Sequence, residues 1–395
     1  MLKNFRFAIL AALLLANCLT FAQKSWASDS TSVATVGVLL PLHLDSLFKA
    51  GSYRYGNSIP KFAISNLEFY NGVQLAADSL RQEGINARIE VVDSRNNAAV
   101  RALFMGENKP HVIIGVVQSA AELKLLTDLA ASRNIPFVNA SYPNDGGLTD
   151  KPNLIIVNST LRTHCTSLYK YLQRNHSTDN LLLLHRNGSA DQRLMGYIKE
   201  AETNTAAIKL GWRRTVLNDS FEVETLLPYL DSTTTNTLVV ASLDDDFGKK
   251  VLRTLSSYRP KYKINVFGMP TWDEFPLSRS EYRGIDVFYS TAFITSSGNL
   301  NVFRSVSEKF KDIAKSRPSD MVFRGFELSY RFTKTMAAHP DAFNGHLNDG
   351  DARVFTDFKF EPVQSKASAG VSTDYYENKR VYFVKKTDGL IKGVY

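Results

Sequence analysis

Only two cysteines occur in the 395 residues, Cys18 and Cys165, and the first lies in a segment that reads as a removable leader. With one thiol left, an internal disulfide and a cysteine-based zinc cluster are both excluded. His164 precedes Cys165, but sequence neighbours on a helix point in different directions. The pair therefore reads as a packed thiol beside a histidine rather than as a Cys/His nucleophile. The common catalytic signatures are missing too. There is no G-x-S-x-G, H-E-x-x-H, G-x-x-x-x-G-K-[ST] or G-x-G-x-x-G, which moves the reading from enzyme toward binding and implies no cofactor. The formal net charge is +8, yet the basic residues are scattered (Arg213-Arg214, Arg259 to Lys263, Lys385-Lys386). No basic stripe interleaved with aromatics forms, so nucleic acid is not an expected partner.

Long hydrophobic runs are also scarce. The run from Phe7 to Ala16 is shorter than the ~20 residues of a membrane-spanning helix, and no later segment reaches that length. With Lys3 and Arg6 before it and small residues after it, residues 1–22 read as a secretory signal, cleaved after Ala22. The rival reading is a lipid anchor on Cys18, because Leu15-Ala16-Asn17-Cys18 approaches a lipobox, although Asn17 stands where Gly, Ala or Ser is expected. Either way the expected location is exported and periplasmic.

What is present is ordinary globular chain, 44% hydrophobic and 22% charged, and long enough for two domains. After a Ser/Thr-rich spacer it alternates apolar strands with amphipathic helices. VATVGVLLPL (33–42) is a continuous apolar run ended by proline, as a buried parallel strand should be. NLEFYNGVQLAADSL (66–80) has helical spacing, ARIEVVDSR (87–95) is a strand and AVRALFMG (99–106) a short helix. VIIGVV (112–117) leads into the helix SAAELKLLTDLAASR (119–133), and IPFVNAS (135–141) is the fourth strand. The cycle restarts at NLIIVNS (153–159) and runs through NLLLLH (180–185), TLVVASL (237–243), INVFGMP (264–270) and IDVFYSTAFI (285–294), with helices between. VETLLPYLD (223–231) reads as one of those helices. Such repeats predict an α/β fold with parallel sheets covered on both faces. The tail changes period: RVFTDFKFEP (353–362) and KRVYFVKKTDGLIKGVY (379–395) read as strands, with an Asp388-Gly389 hairpin turn.

Three features invite a functional reading. The connection from His43 to Asn66 is unusually long and leaves the carboxyl end of a strand, so it is either a ligand-side lid or a mobile loop. Asp244-Asp245-Asp246 follows a strand; it lacks the spaced ligands of an EF-hand loop and reads as a solvated loop, not a metal site. Ser119 begins a helix. It can cap a free N–H there, and the same helix end can receive an anion such as a ligand carboxylate. Gly115, just before, lets the backbone turn tightly or lie close to a neighbour.

The succession resembles the type I periplasmic binding proteins, the branched-chain amino-acid receptor group of solute-binding proteins. VGVLLPL, FYNGVQLAADSL and VIIGVVQSAAELKLLTDLAASRNIPFVNASYP carry the likeness, which continues through NLIIVNSTLRTHCTSLYKYL and NLLLLHRNGSADQRLMGYIKEA. The FYNGVQLAADSL wording is also similar to a branch of envelope proteins in which this lobe pair follows LysM modules. The resemblance implies two Rossmann-like lobes joined by three hinge crossovers. Lobe one would be 30–157 plus 289–345, and lobe two 158–288 plus 346–395. It also implies a small-molecule ligand in the interlobe cleft. The ligand residues it implies are Gln118 and Ser119, then Ala140, Ser141 and Tyr142. Across the cleft it implies Asn187 (beside Arg186), Asp244, Asp245, Thr271 and Trp272, with an acid meeting an ammonium and Trp272 stacking on ligand or packing the rim. Implied partners are a membrane permease for ABC-type uptake or sensing, or else a peptidoglycan-synthesis partner for a scaffold that does not transport.

Overall fold

A computed structural model of the chain describes residues 33–394 apart from 276, 278–279, 296–298 and 368–369. The expected signal and Cys18 lie outside the described residues. The chain divides into two compact units. Unit one is the chain up to Asn158 together with Thr295–Asn378; unit two is Ser159–Ile294 together with Lys379–Tyr395. The chain thus passes from one unit to the other three times.

In unit one, β1 (Ala34–Leu40), β2 (Ala87–Asp93), β3 (Val112–Gly115), β4 (Phe137–Asn139) and β5 (Leu154–Ile156) alternate with helices α1 (Lys61–Gln82), α2 (Asn97–Met105) and α3 (Ala120–Ser132). In unit two, α4 (Leu161–Asn175), β6 (Asn180–His185), α5 (Ser189–Thr203), β7 (Arg213–Val216), β8 (Thr235–Val240), α6 (Asp245–Tyr258), β9 (Lys263–Phe267) and β10 (Asp286–Thr291) repeat the scheme. The chain then returns to unit one for α7 (Leu300–Ala314), α8 (Asp320–Ala338), β11 (Phe360–Ala367) and β12 (Gly370–Asn378). It ends in unit two with β13 (Tyr382–Thr387) and β14 (Leu390–Val394).

The sheet orders are β11-β12-β5-β4-β3-β1-β2 and β14-β13-β10-β9-β8-β6-β7. Pairing is parallel except at β11–β12, β10–β13 and β13–β14. The apolar strand runs are buried from both faces: Val38, Leu39 and Leu40 of β1 are inaccessible. Helix starts are set locally, since Asn96, Ser119, Thr160, Asp244, Asn299 and Ser319 each accept a backbone N–H as N-caps. Pro228 holds 223–229 in a 3-10 turn where an α-helix was expected.

The lobe boundaries need correcting at two places. Residues 289–294 belong to unit two, because β10 pairs with β9 at Asn265↔Asp286 and with β13 at Thr291↔Tyr382. Residues 346–378 belong to unit one, because β12 adds to β5 at Tyr376↔Ile155 and the Asn378 amide donates to Val157 O (3.2 Å). The strand expected over 353–362 starts only at Phe360. Before it, the N–H groups of Phe355 and Thr356 bond to the buried Glu327 carboxylate instead of a strand neighbour.

Candidate functional site

Both sheets run 2-1-3-4-5 in their parallel part, so each has a switch point where successive crossovers leave in opposite directions. Ligands of doubly wound sheets sit there, outside the carboxyl ends of the strands. In unit one the switch lies between β1 and β3, and in unit two between β6 and β8.

In unit one β3 ends at Gly115, whose absent side chain leaves room for the Phe137 ring; a Cβ there would lie 2.8 Å from Phe137 Cε2. Glycine is thus required by close packing, not by a turn. The chain emerges as exposed Gln118 and Ser119. Ser119 Oγ accepts from Glu122 N (3.2 Å), and the Glu122 carboxylate accepts from Gln118 N (2.8 Å). This reciprocal pair is a capping box shifted by one residue in its return bond. Its S-x-x-E signal stands in the sequence as Ser119-Ala120-Ala121-Glu122 and went unread there. The helix start already holds an anion of its own, while the amides of Ala120 and Ala121 have no partner among the described residues.

The turn after β4 is fastened to the same place. Half-buried Ser141 donates its hydroxyl to Val117 O (2.9 Å), and buried Asn139 bonds the backbone of Tyr142 in both directions (2.8 and 3.0 Å). Asn158 donates to Ser141 O (2.8 Å). Ala140 is buried. The structure therefore brings Gln118, Ser119, Ser141 and Tyr142 into one rim, with Asn139 and Asn158 as the fasteners that sequence reading missed. The long connection after β1 is built rather than loose. Asp93 accepts from Leu42, Leu44 and Arg95 N–H groups (3.0, 2.8 and 3.0 Å), a short hairpin pairs Phe48 with Tyr53, and ring contacts link His43, Phe62, Tyr55 and Tyr53.

In unit two the switch point is occupied by an ionic hub. Arg186, the first residue after β6, meets Asp191 Oδ2 at 2.9 Å, Asp219 Oδ1 at 3.0 Å and Asp244 Oδ2 at 3.2 Å. Asp191 is 1% exposed and Arg186 22%. Burial pulls the guanidinium toward losing its proton, but the hydrogen bonds to Asp219 and Asp191 outweigh it and raise its affinity for the proton. Asp244 also caps α6, accepting from Phe247 N (2.8 Å); that bond, with Arg186 nearby, holds its carboxyl below the usual range. Asp244 is thus committed to Arg186 and the cap. Asp245 is exposed and makes no hydrogen bond or ion pair among the described residues; Asn187 and Thr271 are exposed as well.

Trp272 must be removed from the ligand set. It is fully buried in a core of unit two, stacked on Phe275 with centroids 5.0 Å apart. Gly248 and Gly268 make room for the indole: a Cβ on Gly268 would lie 1.9 Å from Trp272 Cδ2. Cys165 is buried and free, and burial pushes its thiol up to about 12. His164 bonds Ser290 Oγ (2.8 Å), not the thiol.

No protein-family model matches the sequence, and no curated protein does. Solved structures do match. A branched-chain amino-acid ABC transporter protein from Rhodospirillum rubrum has TM-score 0.64 at 11% identity, covering 92% of this chain and all of that one. A periplasmic ligand-binding protein of a branched-chain amino-acid ABC transporter from Burkholderia xenovorans has TM-score 0.60 at 13% identity, covering 92% and 95%. The fold is that of the type I periplasmic binding proteins. An ABC transporter substrate-binding protein from Desulfitobacterium hafniense, solved in complex with leucine, has TM-score 0.56 at 12% identity, covering 92% and 100%. Identities this low establish the fold alone. No helix among the described residues is long and apolar enough to cross a membrane.

Proposed function

We propose that this chain is an exported solute-binding protein, not an enzyme. It captures a small molecule, an amino acid or related metabolite, for a membrane permease of the ABC class or for sensing. The observation supporting this reading is the fold, shared over 92% of the chain with an ABC transporter substrate-binding protein solved with leucine and with a periplasmic ligand-binding protein of a branched-chain amino-acid ABC transporter.

In this reading the ligand is met at the carboxyl edges of the sheets. Unit one offers the Ser119 hydroxyl, the free amides of Ala120 and Ala121, Gln118, and the segment Ala140–Ser141–Tyr142. Because Glu122 already lies at that helix start, an incoming carboxylate has to displace it or share the end with it. That favours a zwitterion or a neutral polar group over a second full anion. Unit two offers Asn187, Thr271, the committed Asp244 and the unpartnered Asp245, of which Asp245 is the carboxylate suited to an ammonium.

The test is a thermal-shift screen of protein produced without residues 1–22 against amino acids, small peptides and muropeptides. A ligand at 100 times its Kd adds ~2.7 kcal/mol of stability by linkage. Ser119→Ala and Asp245→Ala should each weaken the binding of any hit. Unchanged affinity in both variants refutes the assigned residues, and a screen without a single hit refutes small-molecule capture.

A further inference from the structure

Away from the switch points, unit one carries a second group of ligating side chains. His339 is the C-cap of α8, fixed by its N–H to Thr335 O (2.9 Å). His346 closes a 3-10 turn, Phe343–His346, and Asp349 follows three residues later. One donor atom from each of the three lies within 4.8 Å of the others. His346 Nδ1 is 2.8 Å from Asp349 Oδ2, and His339 Nε2 is 3.5 Å from the same oxygen. We propose that His339, His346 and Asp349 form a binding site for a divalent transition metal of the zinc class.

Three observations carry this. The first is spacing: a tetrahedral ion with bonds of about 2.0–2.2 Å holds its ligand atoms ~3.3 Å apart, and here two pairs lie at 2.8 and 3.5 Å and the third within 4.8 Å, so one ion can reach all three once a ring turns toward it. The second is support. The turn bearing His346 and Asp349 is anchored by buried Phe343 and Leu347, and Arg331 donates to Leu347 O (2.7 Å). Asn348 exchanges hydrogen bonds with the backbone of Phe360 (2.8 and 2.7 Å), and Asn344 donates to Pro152 O (3.1 Å). Three ligands thus stand on a helix end and a pinned turn, while both histidines remain 36% exposed and reachable from solvent. The third is electrostatics: the site lies at the carboxyl end of a 19-residue helix, where the backbone dipole favours a cation, and Asp349 adds a full negative charge. Two imidazoles with one carboxylate suit zinc, nickel or copper and not magnesium or calcium. The fourth position is left to water or to a group from a ligand.

The site has a built-in signature. Without metal the two imidazoles stack at 3.5 Å and 5°, so their nitrogen lone pairs lie in parallel planes and do not converge. Metal binding must tilt at least one ring about its broad χ2 torsion and break the stack.

The experiment uses tag-free, chelator-stripped protein titrated with Zn2+ by calorimetry, with Mg2+ and Ca2+ as controls. One equivalent of Zn2+ is expected, and none of the other two. His339→Ala and His346→Ala should each lower affinity by at least the ~10–100-fold seen for loss of a supporting partner. His339→Gln serves as a variant that keeps the bulk, and circular dichroism confirms that each variant is folded. In NMR spectra of the wild type, two histidine ring signals should shift together on Zn2+ addition. Absence of stoichiometric uptake overturns the proposal. So does uptake unchanged in both alanine variants, which would place the ion on another histidine.

Discussion

Gly325→Ala tests whether helices α1 and α8 touch backbone to backbone. A Cβ on Gly325 would lie 2.1 Å from Phe69 O, and one on Gly72 would lie 2.1 Å from Val322 O. Ordinary carbon–oxygen contact is more than an ångström longer, so the helices have to part by roughly 1 Å, a gap that already forfeits a quarter to a half of each dispersion well along the seam. That seam includes buried Phe69, Val73, Ala76, Val322 and Phe326. Overpacking of this kind costs about 1–3 kcal/mol and sometimes more, and the backbone atoms in the way place it at the upper end. Against this stands helix propensity, which favours alanine over glycine by ~1 kcal/mol. The clash wins, and the variant should lose about 2 kcal/mol. Gly196 of α5 supplies the control: it has open space where a Cβ would go, so Gly196→Ala should gain ~1 kcal/mol from propensity alone. Urea denaturation of both variants, read as a midpoint shift at unchanged slope, should give opposite signs. If Gly325→Ala is neutral or stabilising like Gly196→Ala, the backbone contact does not exist.

Arg186→Met strands the buried Asp191 carboxylate and should cost about 2–3 kcal/mol, less than the ~3–5 kcal/mol of a fully buried pair because Arg186 is partly exposed; a loss under ~0.5 kcal/mol in denaturation, the level of an ordinary surface change, would show that the hub is incidental. Burial pushes the Glu327 carboxyl up to about 7, against the pull of its bonds from Thr356 and Phe355 and of nearby Arg331. The folded state therefore holds that proton more tightly than the unfolded chain, whose value is 4.5. Its contribution is full below the lower value and lost as pH rises through the upper one. Stability of the wild type should fall relative to Glu327→Gln between those two pH values; parallel profiles would contradict the assignment. Cys165, made without residues 1–22, should resist thiol reagents in the native state and yield one reactive thiol on unfolding; rapid labelling of folded protein would show that its burial is wrong.

Much of the fold is legible because the strands are covered from both faces. VATVGVLLPL and NLLLLH need continuous apolar side chains, and a run of that kind reads the same wherever it is met. Strand β12 gave no such signal. Its Gly-Val-Ser-Thr start carries little hydrophobicity, and it is held as a strand by antiparallel pairing with β11 along its length and by the edge of β5 at Ile155 and Ile156. Without that signal the residue pattern places the third crossing at 345, ahead of its position after Asn378. Of the candidate site, the turn at Gln118 and Ser119 was readable, and the capping glutamate three residues on was readable but overlooked.

The sequence by itself determined the alternation of strands and helices and the residues that start the helices. These depend on contacts three or four positions away, such as Ser119 with Glu122 and Asp244 with Phe247. Tertiary structure alone decided that Trp272 is core, that Arg186 gathers Asp191, Asp219 and Asp244, and that His339 and His346 face one carboxylate. The first two depend on how segments at strand ends pack together, and the third on a helix end and the turn after it settling within a few ångströms of each other. Local hydrogen bonding is written in residue order; the choice of distant partners is settled only when the sheets close.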